Sequence, residues 1–115
     1  MTPKLAVLLP IYRKDNPNYF QEALTSLFQQ SDSSFHILIL IDGPMPKPLE
    51  DILNDITDDR CILLRFKKSR PLSAVLNDGI QYSLKHHYTY MARMDSDDIS
   101  LPHRFKTQLE FLNLL

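Results

Sequence analysis

The sequence predicts an α/β fold, namely a Rossmann-like three-layer α/β/α domain with a mainly parallel sheet in the strand order 3-2-1-4. Short apolar runs alternate four times with segments whose apolar residues recur at helical spacing. Such alternation favours parallel strands joined by right-handed crossovers. The length of 115 residues suits one domain with one core. The simplest doubly wound order then makes the first and fourth strands neighbours, at the point where the winding reverses.

The predicted strands are short apolar runs, which are typical of strands buried on both faces. The first is followed by Asn16-Pro17, an N-cap with Pro at the first helical position. The second ends at the turn signal Asp42-Gly43-Pro44. The four predicted strands cover residues 4–11, 35–41, 61–66 and 88–94.

Each predicted helix has one apolar face. The last helix is expected to start at Ser100, with Pro102 in its first turn. Gly79 in mid-helix costs about 1 kcal/mol relative to Ala, which indicates close packing against the sheet or a ligand. The inward faces are, in chain order, Phe20, Leu24, Leu27 and Phe28; Leu49, Ile52, Leu53 and Ile56; Leu72, Val75, Leu76, Gly79 and Ile80; and Phe105, Leu109 and Leu112.

The apolar ending, residues 109–115, lacks the signals that usually stop a helix: it has no Gly, no Pro and no basic last turn. We therefore expect residues 1–115 to form a single domain that is truncated at its C-terminus.

The composition is that of an ordinary soluble globular protein. With 13 basic and 14 acidic residues the formal net charge is -1, whereas a nucleic-acid binder would more often carry a basic excess. Cys61 is the sole cysteine, so an intrachain disulfide is excluded, and its apolar surroundings indicate a buried small hydrophobe rather than a nucleophile. A free thiol fits a reducing compartment. These features favour a cytoplasmic location, with contact to a membrane surface left open.

The acidic cluster Asp95-Ser96-Asp97-Asp98 is the strongest candidate site. Three carboxylates in four positions repel one another, and a hard cation such as Mg²⁺ or Mn²⁺ would hold them together through oxygen ligands. The cluster follows the fourth predicted strand, and open α/β sheets bind ligands at the carboxyl ends of their strands. In the alternative interpretation the cluster caps the last helix and complements its dipole. Its position at the predicted switch point favours metal or nucleotide binding.

Further candidates lie near the ends of the first two strands. Tyr12, which follows Pro10 and Ile11, offers a ring on which a base can stack. Asp42 can accept an N–H from a nucleobase edge, and uracil and guanine are both compatible; a plain turn-initiating role is the alternative. One dense basic patch, which either is solvated or faces phosphate, comprises Lys67, Lys68 and Arg70.

Common nucleotide-binding motifs are absent from the sequence. There is no Walker A loop, and two glycines cannot build a dinucleotide-binding fingerprint. The four histidines lack metal-ligand spacing.

Five segments, in order and at suitable spacing, resemble the family 2 glycosyltransferases, which have the GT-A fold. The resemblance covers nearly the whole chain. The segments are the opening strand with its Pro-x-Tyr (residues 7–12), the first helix (23–30), the second strand with its Asp-Gly end (38–43), the third helix (72–80) and the metal-binding motif with its trailing helix (94–108).

The resemblance implies that this chain is the GT-A nucleotide-binding half of an inverting glycosyltransferase. It implies a UDP- or GDP-linked sugar as donor, a carbohydrate or lipid-linked acceptor, a role in polysaccharide biosynthesis, and Mn²⁺ or Mg²⁺ held on the diphosphate by Asp95 and Asp97. No catalytic residue is identified, since the acceptor half with its catalytic base would lie beyond Leu115, so the fragment alone is expected to be inactive. The expected nucleotide-sugar-binding residues are Pro10, Tyr12, Asp42, Arg70, Asn77, Asp95 and Asp98.

Two departures from the family pattern affect the expected site. Pro71 stands where the family carries Gly. Proline fixes φ and removes a backbone N–H. Ile41-Asp42 stands where the family has paired aspartates, so one carboxylate is lost. An alternative interpretation of Asn77 is that it faces solvent, as polar residues on helix flanks usually do.

Two alternatives to glycosyl transfer remain open at this point. A sugar nucleotidyltransferase would open with a Gly-rich basic loop after the first strand, and residues 12–17 contain no Gly. A non-catalytic module would bind nucleotide or a partner through the face left bare by the missing half, and that face would also allow a homodimer.

Overall fold

The computed structural model describes residues 3–32 and 34–113, and side chains up to residue 110. The described strands are β1 (Leu5–Tyr12), β2 (Phe35–Asp42), β3 (Cys61–Phe66) and β4 (Tyr90–Arg93). They pair in parallel in the order β3-β2-β1-β4, which confirms the predicted sheet. The bounds of the first three strands lie within one residue of the prediction.

The described helices are α1 (Pro17–Phe28), α2 (Lys47–Asn54), α3 (Leu72–Lys85) and α4 (Arg104–Asn113). The predicted cap of α1 is confirmed: Oδ1 of Asn16 accepts the N–H groups of Asn18 and Tyr19 at 2.9 and 3.1 Å. This cap satisfies donors that an uncapped helix would leave unpaired. It also starts α1 soon after β1 ends, so that the first turn of α1 stands at the carboxyl end of the sheet.

Helices cover both faces of the sheet. The larger cluster lies under α1, α2 and α4, where the rings of Phe35 and Phe105 meet edge to face with centroids 5.0 Å apart. The smaller cluster lies under α3 and includes Val75 and Tyr88. The three-layer α/β/α architecture is therefore confirmed.

The predicted close packing at Gly79 is confirmed. A Cβ there would lie 2.9 Å from Cδ1 of Leu40 and 3.4 Å from Cδ2 of Leu8. The inward face of α3 is nevertheless rotated from the prediction, since Val75, Gly79 and Ser83 are its buried residues. The small residues at 79 and 83 let the helix approach the sheet. The list of predicted inward residues was wrong at two positions, which are exposed by 47% and 37%: Leu72 and Ile80.

The start of β4 differs from the predicted strand 88–94. The N–H of Tyr88 donates to the carbonyl of Ser83 at 3.0 Å and so completes the turn after α3, in which His87 has a φ of 66°. Pairing with β1 begins only when Thr89 and Tyr90 donate to the carbonyl of Lys4. The predicted strand was thus too long, and it is not buried throughout, since Thr89, Met91 and Arg93 are exposed.

The start of α4 at Arg104 corrects the predicted start at Ser100. The N–H of Ser100 donates to Oγ of Ser26 at 3.0 Å. The side chain of Gln30 donates to the carbonyl of Leu101 at 2.7 Å and accepts the N–H of Phe105 at 3.2 Å. Because these bonds to α1 and its C-terminal end hold residues 100–103 outside helical geometry, the acidic cluster does not cap α4, and that alternative was wrong.

No helix among the described residues is both long and apolar enough to cross a bilayer. Leu109 packs against the larger core cluster as predicted. The predicted inward side chain of Leu112, and the ending of the chain at residues 114 and 115, lie outside the part that the structure describes.

Replacing Gln30 by Leu is expected to destabilise the fold. The change leaves the N–H of Phe105 without its partner and removes one of the two donors to the carbonyl of Leu101, which keeps the N–H of Arg104; the expected cost is about 1–3 kcal/mol in the free energy of unfolding. Urea denaturation followed by circular dichroism measures it. The matched control is Gln29→Leu, one residue earlier and exposed. Equal losses in the two variants would contradict the tethering role.

The thiol of Cys61 is expected to react slowly in the folded protein. Its side chain packs against the larger core cluster, and burial raises its pKa to about 11. Since only about one thiol in a thousand is ionised at pH 8 under such a pKa, alkylation by iodoacetamide should be far slower than that of glutathione. Mass spectrometry of native and urea-unfolded samples measures the rates. Equal rates for the native protein and glutathione would contradict the burial argument.

Candidate functional site

A cleft of about 530 Å³ lies at the carboxyl ends of β1, β2 and β4. This is the point at which the strand order reverses, where the topology predicts a ligand. Its walls are the loop after β1, the end of β2, the start of α3 and the turn after β4. Of the predicted site residues, the cleft brings together Pro10, Tyr12, Asp42, Arg70, Asp95 and Asp97.

Two predicted ligand-binding residues do not line the cleft. Asn77 is exposed on α3. Asp98 shapes the acidic turn instead, because its Oδ2 accepts the N–H of Asp95 at 3.1 Å while its own N–H donates to the carbonyl of Asp95. Within the basic patch only Arg70 reaches the cleft; Lys67 and Lys68 are exposed beside it.

A reciprocal pair of hydrogen bonds fixes the backbone of Tyr12. The N–H of Tyr12 donates to Oδ2 of Asp15 at 2.7 Å, and the N–H of Asp15 donates to the carbonyl of Tyr12 at 2.9 Å. The chain therefore turns tightly as it leaves β1. Tyr19, which is 55% exposed, and Lys14 also line the cleft. These two residues were missed from the sequence; the available signal was that Lys14 follows a buried strand and Tyr19 lies in the first turn of the next helix.

Asp42 ties the end of β2 to the loop before α3. It is only 7% exposed, and its two carboxylate oxygens accept the N–H of Arg70 at 2.8 Å and the hydroxyl of Ser69 at 3.2 Å. The approach is close because Gly43, at a φ of 83°, has no side chain: a Cβ there would lie 2.8 Å from the nitrogen of Ser69. A carboxylate has about four acceptor positions, so Asp42 keeps capacity for a further donor from the cleft.

The side chain of Arg70 is held from two sides. Its guanidinium pairs with Asp78 at 2.7 Å and lies over the ring of Phe66, 4.4 Å from the centroid. Pro71 precedes α3, and its carbonyl accepts the N–H groups of Ala74 and Val75. The substitution of Pro for Gly noted in the sequence is thus compatible with the helix start, while the backbone N–H beside it, on Arg70, serves Asp42.

The acidic turn places three carboxylates together at the mouth of the cleft. One oxygen each of Asp95, Asp97 and Asp98 lies within 4.8 Å of the others, and all three residues are exposed. Their ligand atoms are hard oxygens, which suit Mg²⁺ or Mn²⁺, with water or phosphate oxygens completing the shell. The guanidinium of Arg93, a further residue missed from the sequence, donates from Nε to Oδ1 of Asp95 at 3.1 Å, and its Nη2 forms an ion pair with the same oxygen at 3.0 Å.

Sequence relatives cover nearly all of this chain. It is 32% identical to an uncharacterised glycosyltransferase of Haemophilus influenzae over 110 residues, 95% of this chain and 40% of the relative. It is 31% identical to the UDP-Gal:alpha-D-GlcNAc-diphosphoundecaprenol beta-1,3-galactosyltransferase of Escherichia coli, over 96% of this chain and 40% of that protein. The amylovoran biosynthesis glycosyltransferase AmsE of Erwinia amylovora is 30% identical, over 93% of this chain and 40% of that protein. The chain thus spans about two fifths of these relatives.

Solved structures share the fold. S. aureus TarS 1-349 in complex with UDP-GlcNAc superposes with a TM-score of 0.74 at 19% identity, over 96% of this chain and 31% of that one. The mannosyltransferase PcManGT from Pyrobaculum calidifontis, in complex with GDP-Man and Mn²⁺, superposes with a TM-score of 0.63 at 14% identity, over 86% of this chain and 29% of that one. At these identities the likeness shows the fold alone, which is that of the GT-A glycosyltransferases.

A family model also covers nearly the whole chain. The sequence model of Glycosyl transferase family 2 matches residues 6–114. The ordered segments quoted from the sequence, the strand order and the shared fold all agree with this match. The chain belongs to Glycosyl transferase family 2.

Proposed function

We propose that this chain is the donor-binding half of an inverting, metal-assisted glycosyltransferase and that its cleft binds a nucleotide-diphosphate sugar. The observation that carries the proposal is that Asp95 and Asp97 line the same cleft as Tyr12 and Asp42. The complexes of TarS with UDP-GlcNAc and of PcManGT with GDP-Man and Mn²⁺ support it by analogy of fold. Family membership sets aside the sugar nucleotidyltransferase alternative.

Asp95 and Asp97 would hold the divalent ion, Mn²⁺ or Mg²⁺. Such an ion, when bound, supplies Lewis-acid stabilisation of the charge that develops on the diphosphate leaving group. The exposed carboxylate oxygens of the acidic turn fit this ion by their chemistry and mutual distance. Asp98 would act by orienting the turn, since it accepts the N–H of Asp95.

The nucleotide would lie between the ends of β1 and β2. The ring of Tyr12 would stack on the base, with Pro10 beside it on the cleft wall, and Asp42 would accept a base N–H with its remaining acceptor capacity. Arg70 would face the nucleotide from the position in which Asp78 and Phe66 hold it. We leave Asn77 out of the proposed site, because it is exposed on α3 and does not line the cleft.

The acceptor hydroxyl would attack the anomeric carbon as the bond to the diphosphate breaks, and a base would take the hydroxyl proton. The four aspartates described in the cleft already have other tasks: Asp15 and Asp42 accept backbone N–H groups, Asp95 pairs with Arg93, and Asp97 is proposed to hold the metal ion. We therefore assign the base, and the binding of a carbohydrate or lipid-linked acceptor, to polypeptide beyond residues 1–115. A cytoplasmic location at the membrane surface, and a homodimer, remain part of the proposal for the whole protein.

Nucleotide binding is expected to depend on the metal through Asp97. In isothermal titration calorimetry with UDP, GDP and their sugars, the preferred nucleotide should bind at least about tenfold more weakly without Mn²⁺. Asp97→Asn should cause a similar loss in its presence. The control is Asp59→Asn, an exposed aspartate before β3, at the opposite end of the sheet. Tight binding that ignores Mn²⁺ and survives Asp97→Asn would refute the proposal.

The base-reading role of Asp42 is tested separately with Asp42→Asn. The asparagine oxygen can still accept the N–H of Arg70, so the loop should keep its position. Its amide N–H₂ cannot accept a base N–H, so affinity for the nucleoside diphosphate should fall about tenfold, while affinity for inorganic pyrophosphate with Mn²⁺ stays unchanged. Equal losses for both ligands would show that Asp42 acts only on the loop.

A further inference from the structure

Arg93 is the last residue of β4 and lines the cleft. Nε of its guanidinium donates to Oδ1 of Asp95, Nη2 forms an ion pair with the same oxygen, and each side chain of the pair is 50% exposed. A pair exposed to this degree contributes little to folding stability. The pair matters for the site because both of its residues line the cleft.

Negative charges outnumber positive charges at the acidic turn. Three carboxylates lie within 4.8 Å of one another, and in the described part of the chain the cation that contacts them is Arg93. The other two basic residues of the cleft are placed elsewhere: Arg70 pairs with Asp78, and Lys14 is exposed on the loop after β1. One guanidinium therefore offsets part of the negative charge of the turn.

A divalent ion and Arg93 would compete for the same oxygen. An ion that uses Oδ1 of Asp95 as a ligand must replace both the hydrogen bond from Nε and the ion pair with Nη2. The guanidinium released in this way would remain at the cleft, attached to β4. A planar fork of N–H donors suits bidentate contact with a phosphate.

We propose that Arg93 is the exchangeable counter-ion of the acidic turn: it pairs with Asp95 until a divalent ion takes that carboxylate, and it then contacts the diphosphate of the donor. The inference rests on the proposed function. It makes Arg93 a further residue of the donor site, and it makes the ion and the nucleotide assist each other, since the ion frees the group that the nucleotide uses.

The first test measures Mn²⁺ binding alone, by the loss of the electron paramagnetic resonance signal of free Mn²⁺. Arg93→Gln should bind Mn²⁺ about tenfold more tightly than the unmodified chain, because a competing positive charge is gone. Arg93→Lys keeps that charge and should stay within about threefold. The matched control is Arg65→Gln, a half-exposed strand arginine that pairs with Glu50 away from the cleft, and it should leave Mn²⁺ affinity unchanged.

The second test titrates UDP and GDP calorimetrically at saturating Mn²⁺. Here Arg93→Gln should bind the preferred nucleotide about tenfold more weakly, because a phosphate contact is lost. The two titrations thus change in opposite directions. A merely damaged fold would weaken both ligands together.

The outcomes separate this inference from the proposed function. If the unmodified chain binds no Mn²⁺, the metal assignment itself fails, and the role of Arg93 fails with it. If the unmodified chain binds Mn²⁺ and Arg93→Gln binds it equally well or more weakly, only the counter-ion inference is overturned. Tighter Mn²⁺ binding with unchanged nucleotide affinity would overturn the contact with the diphosphate.

Discussion

The parallel pairing of β1 with β2 on one side and β4 on the other is the constraint on which the site depends. The register sets Tyr12 opposite Asp42 and Leu8 opposite Arg93. β1 therefore continues through residues 9–12 past the level at which β4 ends, and the polypeptide leaves β4 beside a projecting strand. The acidic turn must form against that strand. The cleft is a consequence of unequal strand lengths at one edge of a sheet.

Side-chain to backbone hydrogen bonds turn this edge into an ordered site. Asp15 fixes the turn after β1, Asp42 fixes the loop before α3, and Ser26 with Gln30 fixes the segment after the acidic turn. Each uses a polar side chain on a regular element or tight turn to hold irregular backbone, which otherwise would lack partners. The groups proposed to meet the ligand are thereby held before it arrives, which reduces the ordering cost of binding.

Much of the fold followed from the sequence because its signals are local. The apolar runs gave three strands to within one residue, Asn16-Pro17 gave the start of α1, and strict alternation gave the strand order. The errors occurred where the deciding partner is remote in sequence. Ser100 is kept out of a helix by Ser26, 74 positions away, and apolar spacing contains no trace of that bond.

The candidate site shows the same division. Residues at the strand ends, Tyr12, Asp42 and the acidic cluster, were found because topology alone brings strand ends together. Arg93 was missed because it lies within an apolar run that predicts a strand. Asn77 was included because a family resemblance gives the residue type at a position but not the direction in which its side chain points. The rotation of α3 depends on how closely small side chains let the helix approach, a property of packing rather than of spacing.

Because Asp95, Asp97 and Asp98 are exposed, the proposed metal ligands are distinct from the residues that build the core. None of the three supports the core, since all three side chains are exposed. The domain would keep its shape if all three were exchanged for neutral residues. Such an exchange would leave a domain with an intact core and without the proposed metal site, which is the arrangement of a pseudoenzyme.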